Sequence, residues 1–349
     1  MKTWAITGFY GQDNFGDDLF CFVIANLMKK HGQRYFLQNG FVKCRADLSK
    51  SALPFARIFN KQRGVLGAVH RLMSVVFSMI RADCFVFGGG SLFGRYASYK
   101  QRRFASLMAS ILNRKLFAFC VSLGPFRSPA EESKYSAVLK KFDLVVTRDT
   151  ASHKVAKRMS LNRSDAVDMV FAIQTIHEKK VPTEKKIVLA LHRLALVDEF
   201  LVQSSWLEAF DKVVILHLDD EAETIGARLY EGLSKSLSGK LSMRSYKAMN
   251  LEDVLDEISS ASFVITSKLH GAVTAAAYGV PFSLFEYQEK CTEFLVTLGG
   301  FDGYLNFGDE SVFIRLTPQI FEKMIQPNWD LQRKSDLVRA SFEEMINAS

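Results

Sequence analysis

The chain has 349 residues, 48% hydrophobic and 23% charged, with no low-complexity tract or internal repeat; this excludes disorder and solenoids and suits two globular domains of about 150 residues each. A formal net charge of +8 favours anionic partners, but the basic clusters Lys100 to Arg103 and Lys185-Lys186 lack interleaved aromatics, so nucleic acid is not expected and each cluster is assigned to solvated surface. Five cysteines, at 21, 44, 84, 120 and 291, form no Cys-x-x-Cys pair and are odd in number, which argues against a disulfide frame or zinc site and for reduced thiols, mostly in the core.

Met1-Lys2 runs straight into a strand-like segment, so no signal peptide is expected and the cytoplasm is the expected compartment. Trp4 to Thr7 leads to a glycine-rich turn, Gly8-Phe9-Tyr10-Gly11, and then to a helical pattern from Asp17 to Lys30. Val65 to Ile80 is apolar but broken by His70 and Arg71, too short and too interrupted to span a bilayer. A core helix is the first expectation for it, a helix lying on a membrane surface the second. Cys84 to Phe87 ends in Gly88-Gly89-Gly90-Ser91; Lys115 to Val121 ends in Ser122-Leu123-Gly124-Pro125; Asp143 to Thr147 ends in Arg148-Asp149. Helical stretches at Lys100 to Leu112 and Ser133 to Lys141 lie between them. Buried strands separated by helices predict a parallel sheet with right-handed crossovers.

The charged, proline-containing stretch His177 to Lys186 reads as a linker. A second series follows: strands at Ile187 to Leu191, Val213 to Leu218, Phe263 to Thr266 and Pro281 to Phe285, and helices at Phe200 to Phe210, Glu221 to Leu237, Leu251 to Ser259 and His270 to Tyr278. The predicted fold is α/β, with two doubly wound Rossmann-like domains over residues 1–178 and 187–327, and a helix in 328–349 crossing back to the first domain.

The strongest local signal is Ser267-Lys268-Leu269-His270-Gly271. A buried strand ends there and a helix begins, aiming free N–H groups and the positive end of its dipole outward. Lys268 adds a cation and His270 a group that exchanges protons near neutral pH. The alternative is a plain helix start with Lys268 in solvent and His270 in the core; the convergence of three features favours an anion site with proton transfer. Around Gly8 to Asp18 the glycine spacing is not that of a dinucleotide fingerprint. Asp17 and Asp18 suit helix capping; Asn14 and one aspartate also suit sugar hydroxyls. Gly88 to Ser91 offers either open backbone for a ligand or a tight turn. Arg148 faces either Asp149 or the ligand, Asp168 suits a structural turn, and His192-Arg193 ends a strand where either side chain reaches an anion.

Together these motifs resemble the polysaccharide pyruvyl transferase family. The resemblance rests on Gly8 to Asp17, Phe87 to Ser91, Ser122 to Pro125, Thr147 to Ser152, Asp168 to Phe171, Ser267 to Gly271, Gly279 to Phe282 and Tyr287 to Lys290, in that order. It implies a fold similar to the GT-B glycosyltransferases and transfer of pyruvate from phosphoenolpyruvate to a sugar as a ketal, with no further cofactor. It implies an N-terminal acceptor side and a C-terminal donor side. His270 is then the acid/base group, and Lys268, Leu269, His270, His192 and Arg193 hold the donor, with Arg148 a further candidate. Asn14, Asp17 and Gly88, Gly89, Gly90 and Ser91 hold the acceptor. The family usually has arginine where this chain has Lys268, which exchanges a bidentate fork for a point charge. No metal-ligand cluster is visible, so no metal is expected. The basic charge and Val65 to Ile80 favour a lipid-linked acceptor at the inner membrane face.

Two other functions compete. A glycosyltransferase of the same fold would use a nucleotide sugar; Glu286 and Glu293 stand close to, but off, the eight-residue spacing of paired glutamates in retaining members. A non-catalytic sugar-binding or assembly protein would keep its activity without His270.

Overall fold

Long apolar runs with β-branched and aromatic residues become the interior strands of two sheets, and shorter polar segments become their edges. The computed structural model describes residues 1–38, 42–45, 48, 64–192, 201, 204–219, 223–284, 289–298 and 330–349. It divides into two compact units: Met1–Gln12, Asp17–Ala172 and Gln332–Ser349 form the first, and Asp13–Gly16 with Ile173–Leu331 the second.

The first unit holds β1 (Thr3–Thr7), β2 (Arg34–Leu37), β3 (Cys84–Phe93), β4 (Lys115–Leu123), β5 (Leu144–Thr147) and β6 (Arg163–Asp165). Their order is β2-β1-β3-β4-β5-β6 and every pair is parallel. The helices are α1 (Phe15–Lys30), α2 (Val65–Arg81), α3 (Tyr99–Leu112), α4 (Pro129–Leu139) and α5 (Thr150–Arg158). Side-chain caps start three of them: Ser98 accepts from Gln101 N, Ser128 from Glu131 N, and Asp149 from Ser152 N. Pro129 stands in the first turn of α4, where its missing N–H costs nothing, and α4 therefore starts earlier than the apolar pattern alone suggests. The C-terminal helix, Leu331–Ala348, buries Val338, Phe342 and Met345 in this unit. The Phe342 ring meets Phe119 edge-on at 5.3 Å, and Lys115 Nζ donates to Ala348 O at 2.6 Å.

The expected turn at Gly88 is a correction. Pairing with β4 continues through Gly88↔Phe119 and Gly90↔Val121 to Phe93↔Leu123, so the glycines lie inside β3, with an irregular register beyond Gly90. The core-helix expectation for Val65 to Ile80 holds for one face only. There α2 buries Gly67, Ser74, Val75, Ser78 and Met79, and it leaves Val65, Leu66, Val69, Met73, Phe77 and Ile80 exposed. The basic clusters are not wholly solvated either: Arg102 is buried, and Lys186 is buried against Glu257 at 2.9 Å.

The second unit holds β7 (Lys186–Ala190), β8 (Lys212–His217), β9 (Leu241–Ser245), β10 (Phe263–Thr266) and β11 (Phe282–Leu284). The order is β11-β10-β7-β8-β9, again parallel throughout. Its helices are α6 (Glu223–Leu233), α7 (Leu251–Ser259), α8 (Leu269–Ala277) and α9 (Glu289–Thr297). Of the helix expected at Phe200 to Phe210, Leu201 is helical and Ser204–Ala209 forms a 3-10 turn. In each sheet the connections reverse direction once, between β1 and β3 and between β7 and β10. Crevices for ligands in open parallel sheets form outside the carboxyl ends of strands at such reversals.

Candidate functional site

At the β7/β10 reversal, β10 ends at Thr266 and the chain turns through Ser267 and Lys268 into α8. Thr266 Oγ1 accepts from Lys268 N at 2.9 Å, folding the turn back on the strand. Lys268 occupies the N-cap, where lysine offers no acceptor to the first-turn N–H groups. A Cβ on Gly271 would lie 2.6 Å from Thr266 Oγ1, so glycine is what lets the helix start this close to its own strand. Ser267 is fully buried and ties β10 to β7: its N donates to Ala190 O at 3.1 Å, its Oγ accepts from His192 N at 2.9 Å, and Oγ lies 2.5 Å from His192 Nδ1.

Lys268 Nζ forms an ion pair with Asp219 Oδ2, their side chains only 18% and 11% exposed. Asp219 follows β8, the neighbour of β7, and its Oδ1 is buried with no hydrogen-bond partner among the described residues. The segment Asp13–Gly16 completes this group within the same unit. Phe15 N donates to Leu218 O at 3.0 Å, and the buried Phe15 ring meets Tyr246 edge-on at 5.7 Å. Asn14 Oδ1 accepts from Gly16 N at 3.0 Å. The His270 ring lies against Gly16 so closely that a Cβ there would fall 1.8 Å from Nδ1. The carbonyl of His270 accepts from Thr274 Oγ1 at 2.6 Å.

His217, at the end of β8, is buried, and its Nε2 has no hydrogen-bond partner among the described residues. Burial lowers its pKa, with Glu223 and Asp219 pulling the other way. A Cβ on Gly226 would sit 1.5 Å from His217 Nε2, so α6 packs directly on the ring.

In the first unit the candidate residues are committed to their own chain. Tyr10 Oη donates to Gly88 O, and a Cβ on Gly88 would meet Tyr10 Oη at 2.5 Å. A Cβ on Gly89 would meet Phe20 Cγ at 2.3 Å, and Gly89 and Gly90 hold φ of +68° and +79°. The backbone that the glycines leave open is thus filled by Tyr10 and Phe20. Asp17 Oδ1 would stand 3.8 Å from a Cβ on Gly90, and Ser91 is half-buried. Asp18 accepts from Gly11 N at 2.6 Å and closes the first loop.

Arg148 is 7% exposed and enclosed. Its Nη1 donates to Asp168 Oδ2 at 2.8 Å, its Nε donates to Ser122 Oγ at 2.8 Å, and its guanidinium lies 5.2 Å from the Phe20 ring centre. Ser122 Oγ donates in turn to Asp149 Oδ2 at 2.6 Å. Burial raises the Asp168 pKa, and Arg148 and the Val170 N–H oppose that rise. Near the β1/β3 reversal a cavity of about 40 Å³ is lined by Thr7, Gln38, Arg71, Phe87, Gln101 and Arg102. Arg102 Nε donates to Leu92 O at 3.1 Å, and burial lowers its pKa to about 10.

Lys268, Leu269, His270, His192 and Asn14 therefore come together in the second unit; Asp17, Gly88 to Ser91 and Arg148 belong to the first. Arg193 and Glu286 lie outside the described residues. Among the described residues no three His, Cys, Asp or Glu side chains are grouped to hold a metal ion, and the five cysteines form no disulfide. Asp219 was not legible as a site residue, although its place just past a strand end beside β7 is the signal that would have pointed to it.

A model of the family described as polysaccharide pyruvyl transferase matches residues 14–289, which include Asn14, Asp219 and the whole Ser267 to Gly271 turn. No curated protein sequence matches the chain. Among solved structures, the UDP-GlcNAc 2-epimerase of Methanocaldococcus jannaschii superposes with a TM-score of 0.66 at 14% identity, covering 100% of both chains. The Neisseria meningitidis UDP-GlcNAc 2-epimerase, bound to UDP-GlcNAc, gives 0.65 at 12% identity over 99% of this chain and 100% of that one. Anabaena HepE in complex with UDP and glucose gives 0.57 at 10% identity over 100% of both. At such identities the likeness is one of fold: two α/β units of the GT-B type.

Proposed function

This chain belongs to the polysaccharide pyruvyl transferase family, and we propose that it moves a pyruvyl group from phosphoenolpyruvate onto a saccharide as a cyclic ketal. The observation that carries the proposal is the convergence of a family match over residues 14–289 with a cation, a histidine and a helix start at the β7/β10 reversal. Phosphoenolpyruvate carries a carboxylate and a phosphate, which Lys268 and the first-turn N–H groups of α8 suit. One sugar hydroxyl adds to C2 of the donor, losing its proton, while C3 gains one and becomes a methyl group. A second hydroxyl then attacks the same carbon and gives up its proton, and phosphate leaves with the electron pair of the broken C–O bond. His270, held against Gly16, is the group proposed to exchange these protons.

The ion pair between Lys268 and Asp219 gives the donor a competitor. An arriving anion shares Lys268 with Asp219. The acceptor proposed is a polysaccharide or its lipid-linked precursor at the cytoplasmic face of a membrane. No helix among the described residues is long and apolar enough to cross a membrane.

The test is phosphate release from phosphoenolpyruvate together with a pyruvyl mass gain on saccharides bearing two neighbouring free hydroxyls. His270→Ala is expected to lower the rate at least ~100-fold with little change in melting temperature. A nucleotide sugar consumed while phosphoenolpyruvate is left intact would replace this proposal with glycosyl transfer. That second reading draws on the fold shared with nucleotide-sugar-bound structures.

A further inference from the structure

Helix α2 is amphipathic in the wrong sense for water. Its fully buried positions include Ser74 and Ser78, both 0% exposed, while Leu66 is 74%, Met73 56% and Ile80 56% exposed. With Val65, Val69 and Phe77 these residues follow spacings of three and four and make one continuous stripe. Helix α3 packs beside α2 and exposes two further apolar side chains, Leu107 and Ile111, at 50% and 65%. Arg114 fastens the two helix ends together, its Nε donating to Met79 O at 3.1 Å. A soluble surface normally shows apolar side chains singly, whereas here eight lie on two adjoining helices.

Charge identifies what covers this face. Across α2 and α3 there is no aspartate or glutamate, while Arg71, Arg81, Lys100, Arg102 and Arg103 are present; Arg114, just past α3, pairs with Asp83 at 3.9 Å. Arg102 is buried, but Arg81, Lys100 and Arg103 are exposed. An apolar stripe on two helices that carry cations and no acids matches the boundary of an anionic bilayer, where acyl chains take the stripe and phosphate headgroups take the cations. We propose that the outer face of α2 and α3 docks this protein on anionic phospholipid. The surface deepens the lipid-linked acceptor of the proposed function, but the binding itself needs neither donor nor acceptor.

The experiment is flotation of the full chain with vesicles of phosphatidylcholine alone or with 30% phosphatidylglycerol. Wild type is expected to float with the anionic vesicles, less so at high salt. The triple variant Leu66→Ser, Met73→Ser, Ile111→Ser should lose at least ~10-fold in partitioning, since each apolar side chain withdrawn from the membrane removes part of the binding free energy. Lys100→Glu with Arg103→Glu should lose ~10-fold or more on anionic vesicles. All these positions are exposed, so unchanged circular dichroism and melting temperature verify the fold. Wild type that stays with neither vesicle, or a triple variant that floats as well as wild type, overturns the proposal. So does a wild-type dimer in sedimentation that the triple variant dissolves, because a second copy would then cover the stripe. Pyruvyl transfer to a soluble saccharide, measured in parallel, is expected to be equal in wild type and both variants, which separates failure of docking from failure of the chemistry.

Discussion

The two units share an architecture and differ in what they do with polar groups at their strand ends. Beyond β5, Arg148 is enclosed by Asp168, Ser122 and Phe20, and the Gly88 to Gly90 backbone is covered by Tyr10 and Phe20. Beyond β10, the cation Lys268 has one acidic partner among the described residues, Asp219, and the neighbouring His270 is only half-buried. A buried ion pair whose cation also donates to a neighbouring hydroxyl is a structural fastening. A cation at an uncapped helix start beside a carboxylate is the arrangement we propose as the donor site. Sequence motifs of equal appearance thus differ once their partners are known.

The largest effect should come from breaking the fastening. Asp168→Ala leaves the Arg148 guanidinium buried without its carboxylate and is expected to cost about 3–5 kcal/mol in denaturant unfolding. The affinity of the folded fraction for phosphoenolpyruvate should stay unchanged. If unfolding free energy holds and donor binding is lost instead, Arg148 belongs to the donor site.

In the second unit the sharpest perturbation is Gly16→Ala. The new Cβ, 1.8 Å from His270 Nδ1, must push the ring aside. Turnover should fall ~100-fold, the scale of a misplaced catalytic group, with donor affinity nearly kept. Full turnover in this variant would mean that His270 does not act from this position.

A smaller effect concerns acid. Burial lowers the His217 pKa below its unfolded value of 6.5. Below that pH the unfolded chain takes up a proton that the folded ring refuses, so the stability tied to a neutral His217 is full above pH 6.5 and is lost as pH falls. The melting temperature should drop between pH 7.5 and 5.5, and His217→Asn should flatten that drop; equal slopes in both proteins would assign the acid sensitivity elsewhere.

Interior strands were legible because they are buried on both faces and read as unbroken apolar runs, as in β4 and β10. Of the four edge strands, β2, β6 and β9 were not, whereas the buried edge β11 was. Arg-Ser-Asp in β6 and Leu-Ser-Met-Arg-Ser in β9 carry the polar residues that a sheet edge tolerates and that periodicity discounts. The glycine run of β3 looked like a turn because glycine is a turn residue, and only its pairing with β4 keeps it in the sheet. At the site, the strand-to-helix turn was legible because all its parts are contiguous in sequence. The contacts of His192 with Ser267, of Asp219 with Lys268 and of Gly16 with His270 depend on strand order and on the return of Asp13–Gly16 to the second unit, which local patterns do not encode.

The claim that the Ser267 to Gly271 turn is the donor site is tested most directly by calorimetric titration of phosphoenolpyruvate, with nucleotide sugars as controls, into wild type, Lys268→Ala and Lys268→Arg. Wild type should bind phosphoenolpyruvate, Lys268→Ala about 10-fold more weakly, in keeping with about 1.4 kcal/mol for one charge-assisted contact, and Lys268→Arg close to wild type. Equal phosphoenolpyruvate affinity in wild type and Lys268→Ala, or binding of a nucleotide sugar alone, would contradict it.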